Sequence, residues 1–258
     1  MRSAVGIPFL SALKSGSRQA EGGEDVNGYD SLSRIRWGPR ASIMFTFPAL
    51  SRLFRPIRFK MQTLSEHDGA DGVCNDPAPD LVIAETMQWL ERAVIGLNLC
   101  PFAKAVHVKQ QIRYVVSEAT SPDALCEALL DELKRLADVN PNDIDTTLLI
   151  HPYTLGLGEF LDYNDFLEVA DAALAELNLA GEIQIASFHP EYQFAGTEPD
   201  EITNYTNRSP YPMLHLLREA SVEKAVAAFP DAADIFAKNM KTLEKLGHEG
   251  WQALGLKK

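Results

Sequence analysis

The stretch Thr147-Leu-Leu-Ile-His-Pro-Tyr153, entered through the turn Asn140-Pro-Asn-Asp143, decides how this chain folds. Leu148, Leu149 and Ile150 are apolar in succession, so both faces of that strand need cover, as in a central strand between helical layers. Upstream, Gln111–Val116 alternates as a strand. Ser121 then serves as an N-cap and Pro122 as the first residue of a helix that carries Leu125, Leu129, Leu133 and Leu136 on one face. Downstream, Tyr163, Leu167, Ala170, Leu174 and Leu177 recur at helical spacing until Gly181, and Ile183–Phe188 reads as a third strand. At the amino side, Ile83, Met87, Leu90, Val94 and Leu97 form a helix behind Asp80, and Cys100-Pro101 stops it because proline lacks the donor. After a long polar, proline-rich segment, helices are expected near 212–220, 222–229 and 231–246.

Strands alternating with helices of this length imply parallel pairing through right-handed crossovers. The expected fold is α/β: a single domain with a small parallel or mixed sheet of few strands, flanking helices and extra C-terminal helices. A ferredoxin-like α+β arrangement is the alternative. No tandem repeat is visible.

Charge divides the chain. Residues 1–60 hold ten Lys and Arg against four Asp and Glu, a net of +6, which leaves 14 basic against 32 acidic residues, or −18, for residues 61–258. The acidic balance of the whole, −12, argues against nucleic acid as a partner. Residues 1–60 lack a sustained period and read as a basic, disordered extension or targeting arm. Ile43–Phe59 is the one segment there able to form a short amphipathic helix. Ser and Arg in the arm favour a transit peptide, whereas Glu21, Glu24, Asp25 and Asp30 oppose it. The compartment expected is the cytoplasm, or an organellar matrix if the arm is a transit peptide. Residues 61–79 read as an acidic linker and 80–258 as the α/β domain. The apolar segment Ile43–Phe47 is too short to span a bilayer, so no integral membrane association is expected. Three cysteines, Cys74, Cys100 and Cys126, form no CxxC pair, which suits a reducing compartment better than a disulfide framework.

Three clusters carry candidate chemistry. Two strands end in His-Pro, at His151 and His189, and if those strands are parallel both imidazoles lie at the carboxyl rim where open α/β sheets bind ligands. The bland alternative is a strand terminator bonded to a nearby carbonyl. The second cluster runs from Asn204 through Asn207 and Arg208 into Met213-Leu-His-Leu-Leu-Arg-Glu219. If Pro212 starts a helix, His215, Arg218 and Glu219 share one face, and Arg208 with Arg218 makes a fork for a carboxylate or phosphate. The bland alternative is a solvated face with an internal ion pair. The third is Cys100 in Asn98-Leu-Cys-Pro-Phe102, a nucleophile or a buried structural thiol; its place after a helix C-terminus disfavours the thiolate, which Lys104 only partly offsets. Gly156-Leu-Gly158 resembles a phosphate loop only faintly, and without GxGxxG or GxxxxGK(S/T) a nucleotide fold is not supported.

The motifs Asn98-Leu-Cys-Pro-Phe-Ala103, Phe188-His-Pro-Glu-Tyr-Gln-Phe-Ala-Gly196 and Asn207-Arg-Ser-Pro-Tyr-Pro…His215-Leu-Leu-Arg-Glu219 resemble those of a bacterial family catalogued as a domain of unknown function. The resemblance spans Leu81 to Leu254. It implies no activity or cofactor, and it implies that residues 1–60 are an addition to the usual domain.

Three functions fit these residues. The first is a small-molecule enzyme, a hydrolase or transferase, acting on an anionic substrate at the carboxyl rim. His151, His189, His215 and Glu219 would be catalytic with Cys100, while Asn204, Asn207, Arg208 and Arg218 bind substrate. The second is a divalent-metal enzyme in which His151, His189, His215 and Glu219 are ligands. The third is a non-catalytic binding or interaction module whose polar loops hold its own fold together. The sequence leaves open whether it is an enzyme at all, along with its cofactor and oligomeric state.

Overall fold

The computed structural model describes residues 76–228 and 234–257. The expectations for the arm (1–60) and for most of the linker lie outside the described residues. Helix α1 (Pro79–Trp89) runs into a π-helical turn (Leu90–Ile95), followed by α2 (Ala103–Val108), β1 (Ile112–Val116), α3 (Pro122–Asp138) and β2 (Thr146–Ile150). Then come α4 (Phe160–Glu176), β3 (Ile183–Phe188), a 3-10 turn (Ile202–Thr206), β4 (Met213–Arg218), α5 (Glu219–Ala227) and α6 (Ile235–Ala253).

The four strands form one mixed sheet in the order β1-β2-β4-β3. β1 and β2 are parallel, and β4 lies antiparallel between β2 and β3. β2 and β3 therefore run in the same direction without touching. This is the small mixed α/β sheet expected, and its βαβαββ core order differs from the βαββαβ order of a ferredoxin-like fold. All five residues of β2 are buried, as the unbroken apolar run required.

Alternation of side chains sorts the sheet into two faces. On one, Leu149, Leu214, Leu216 and Ile183 pack under α3 and α4, with Leu125, Leu129, Leu133 and Leu136 forming the helix stripe read from the sequence. Ser121 caps α3 as expected, its hydroxyl accepting from the Ala124 N–H at 3.3 Å. On the other face, Leu148, Ile150 and Met213 meet Val82, Trp89, Leu90, Ala93 and Val94 of α1 and the π turn. That helix buries Val82, Thr86 and Trp89 rather than the Ile83–Met87 edge of the expected stripe, and it begins at Pro79, ahead of Asp80. Its winding widens where Gly96 N–H bonds to the Glu91 carbonyl and Leu99 N–H to Val94, each spanning five residues. Glycine is needed at 96 because a Cβ there would lie 2.3 Å from the Arg92 carbonyl oxygen.

One element differs in kind from the expectation: the 212–220 segment is strand β4 followed by the first residues of α5, not a helix. A six-residue run with apolar residues at 213, 214, 216 and 217 satisfies either period over so short a distance. The vacancy between two parallel strands settles it, because β4 there forms antiparallel ladders with β2 on one side and β3 on the other.

Leu214 is fully buried at the centre of β4, packed against the α3 and α4 layer. Leu214→Ala is expected to lower the unfolding free energy by about 2–5 kcal/mol, as buried leucine truncations do, measured by urea denaturation.

Candidate functional site

The strand assignment of β4 divides the expected site. His215, Arg218 and Glu219 share no helix face: His215 points to the α1 side of the sheet, Arg218 to the α3 side, and Glu219 opens α5 with its N–H bonded to the Glu182 carbonyl at 2.9 Å. The same alternation places His151 and His189, which follow Leu149 and Ser187 by two, on the α4 side. The sheet itself thus separates His215 from the other two imidazoles. Among the described residues no three His, Cys, Asp or Glu side chains gather where they would hold a metal ion, and the expected His151, His189, His215, Glu219 ligand set is not assembled.

His151 and His189 do meet at the ends of two strands that run the same way, though around a tyrosine rather than around an open rim. Tyr163 of α4 lies between them, its ring 5.6 Å from His151 and 5.0 Å from His189, and its hydroxyl donates to the Met213 carbonyl at 2.8 Å. Both imidazoles are 1% exposed. The Glu191 N–H donates to His189 Nδ1 at 3.0 Å, which requires the neutral ring, and Nε2–H then donates to the Leu157 carbonyl at 3.3 Å. Burial, with the Arg208 charge adding to it, lowers His189 to about 4 despite the carbonyls of Leu157 and Gly158. His151 is lowered to about 3 by burial and by His189, and neither of its ring nitrogens has a partner among the described residues.

The arginines and Asn204 belong to the backbone. Arg218 Nη2 donates to the carbonyls of Leu136 at 2.5 Å and Val139 at 2.7 Å, tying β4 to the end of α3. Arg208 donates through Nε to Tyr192 O at 3.2 Å and through Nη2 to Pro199 O, and its guanidinium lies 4.4 Å from the centre of the Tyr205 ring. Asn204, fully buried, accepts from Phe194 N–H and the Thr197 hydroxyl and donates to Glu198 O. The arginine fork expected for an anion does not form, because both guanidiniums already face carbonyl oxygens.

What remains is a cavity of about 470 Å³ on the opposite side of the sheet, between the sheet and α1, α2, α5 and α6. Of the expected residues, Cys100, Asn207 and His215 line it. Trp89 and Phe188 close one end, their rings 5.3 Å apart edge to face, with Trp89 Nε1 donating to the Arg208 carbonyl at 2.9 Å. Asn207 holds the wall by donating to Ser187 O at 3.2 Å. Cys100 lies at the start of α2; burial pushes its thiol up, and the Phe102 and Ala103 N–H groups only partly counter this. Sequence reasoning placed it after a helix C-terminus and missed α2.

His215 sits in the floor beside Leu148 and Ala186, its register partners on β2 and β3. Its Nε2 is 2.7 Å from Thr146 Oγ1, and that hydroxyl is 2.6 Å from the Leu216 carbonyl, which can only accept. The single hydroxyl proton therefore goes to Leu216, and Nε2–H donates to Thr146. In the neutral ring this leaves the lone pair on Nδ1. Burial lowers His215 to about 4. Thr146 was missed from sequence, since a threonine opening a strand carries no signal until its cross-strand neighbour is known.

Residues 81–253, about two thirds of the chain, match the family of unknown function DUF1415. The chain belongs to that family. No curated protein and no solved structure matches it. Membership is what the three long motifs implied, and this family member places two of them in different work: the Asn207–Glu219 motif builds β4 and the loop clamps, while Asn98–Ala103 builds a cavity wall. No helix among the described residues is long and apolar enough to cross a membrane.

Two outcomes follow from these contacts. Asn204→Ala and Arg218→Ala each leave buried backbone groups unpaired and are expected to lower stability by about 1–3 kcal/mol, read from urea midpoints. The three histidines have folded values of about 3 to 4, below the value of about 6.5 expected when unfolded. Between those limits the unfolded chain binds protons that the folded one does not, so stability is full above about pH 6.5 and is lost as pH falls toward 4. Each histidine contributes up to about 2 kcal/mol of that loss at pH 5, and His151→Phe is expected to make the denaturation midpoint less sensitive to pH over that interval.

Proposed function

We propose that this protein binds a small, largely apolar molecule in the cavity beneath α1 and α6, with His215 as the principal polar contact. The observation that carries this reading is the combination of a ligand-sized apolar cavity and a neutral imidazole held in one tautomer in its floor. Small-molecule sites are commonly cavities of about 300–1,000 Å³ with mostly apolar walls and a few fixed polar groups. Nδ1 of His215 is an acceptor for one donor on the ligand.

The electrostatics favour binding over acid–base chemistry. A general base works best with a pKa near the working pH, whereas His215, at about 4, has only a hydroxyl on Nε2 and no carboxylate to stabilise an imidazolium. Cys100 is held as the thiol by burial, which suits a wall residue better than a nucleophile. The loop motif supports the same view, since Asn204, Arg208 and His189 are bonded within the fold. Of the functions read from the sequence, the non-catalytic binding module, with its polar loops holding its own fold together, fits best, and its ligand would lie in the cavity on the α1 face.

Calorimetry with a panel of neutral alcohols and ring compounds tests the reading. At a hundred times its Kd, a ligand specific for the folded state stabilises by about 2.7 kcal/mol, visible as a raised Tm. Ala186→Phe fills the cavity floor and is expected to abolish both signals while circular dichroism stays native; Ala186→Val, a smaller filler, is expected to weaken them. Saturable binding that both variants leave unchanged would place the ligand elsewhere, and no binding by any member of the panel would sink the proposal.

A further inference from the structure

The cavity is not polar in a random pattern. Strand register orders its lining along one axis, because Thr146 pairs with Ile112 and Leu217, Leu148 with Tyr114 and His215, and Phe188 with Met213. The end with Phe188 and Trp89 is apolar. The end at the start of β1 and β2 is polar: Gln111 donates to the Pro141 and Asn142 carbonyls at 3.1 and 2.8 Å, and the Ser221 hydroxyl donates to Asp145 Oδ1 at 2.6 Å. These two bonded pairs fix the frame of the mouth. Lys109, two residues before Gln111, and Lys224, one helical turn after Ser221, line the same end, and neither forms an ion pair among the described residues. One carboxylate of the mouth, Asp145, has its Oδ1 engaged by Ser221.

From this arrangement we propose that the ligand is an amphipathic organic anion. Its mainly apolar body, bearing one hydroxyl or N–H for His215 Nδ1, lies along the floor toward Trp89 and Phe188, and its carboxylate sits at the mouth between Lys109 and Lys224. This rests on the small-molecule reading above and adds the charge and direction of the ligand. Lysine suits the role, since a flexible ammonium at a solvent-facing mouth meets an anionic head without requiring burial of the charge.

Octanoate and 1-octanol, which share a chain and differ in the head group, separate the two claims when titrated calorimetrically into the full-length protein at low ionic strength. Octanoate is expected to bind about ten-fold tighter than 1-octanol, the combined effect of two partly screened charge pairs. Added salt should weaken octanoate alone. The double variant Lys109→Gln/Lys224→Gln is expected to bring octanoate to the affinity of 1-octanol and leave 1-octanol unchanged; both lysines are exposed, so the fold should be unaffected. Equal affinity of the two compounds in the unaltered protein would overturn this inference and leave the apolar-ligand reading standing. A preference for octanoate that survives the double variant would overturn the assignment to these lysines. If neither compound saturates, the inference falls, and it takes the broader reading with it when the neutral panel also fails.

Discussion

The insertion of β4 between β2 and β3 is the constraint on which the rest of the structure depends. Two parallel strands reached through helical crossovers leave a gap one strand wide, and Met213–Arg218 fills it with antiparallel ladders to both neighbours. Every later feature follows from that pairing. It sets Leu214 and Leu216 against α3 and α4, turns His215 the other way, and brings Arg218 to the carbonyls at the end of α3. Because side chains alternate, a shift of one residue would exchange the two faces, turning Leu214 and Leu216 toward the cavity and His215 toward α3 and α4.

The polar residues fall into two populations with different physics. His151, His189, Asn204, Arg208 and Arg218 face backbone groups or aromatic rings, and His189, Asn204 and Arg208 hold the long segment between β3 and β4, which has only a 3-10 turn of its own, in place of a ladder. A segment of that length without regular pairing has many donors and acceptors to satisfy, and side chains supply the partners. His215, Thr146, Lys109 and Lys224 line the cavity instead, where the Thr146 hydroxyl fixes the His215 ring and leaves its Nδ1 lone pair free.

Much of the fold was legible in the chain. The α3 stripe needs only a helical period and a cap, both local, and each of its four leucines is fully buried. The three consecutive apolar residues of β2 declared cover on both faces before any neighbour was known. Beyond that reach, six residues of β4 carry too few repeats to separate a period of two from one of 3.6, and the misreading of that one element misplaced His215, Arg218 and Glu219 together. Helix α2 was missed for a related reason: it is a single short helix whose start is marked by no cap that the sequence shows.

By itself, then, the sequence determined the α/β class, the two crossover helices, the central strand and the family membership. These depend on local periodicity, capping and residue chemistry, which neighbours in the chain encode. Only the tertiary structure decided which polar residues look inward to their own backbone and which look into a cavity, because that depends on strand order and on the parity of each side chain across the sheet. Arg218 and His215 stand three residues apart in the chain and on opposite sides of the molecule's central layer, a separation set by the ladder partners of β4 and by nothing in its own six residues.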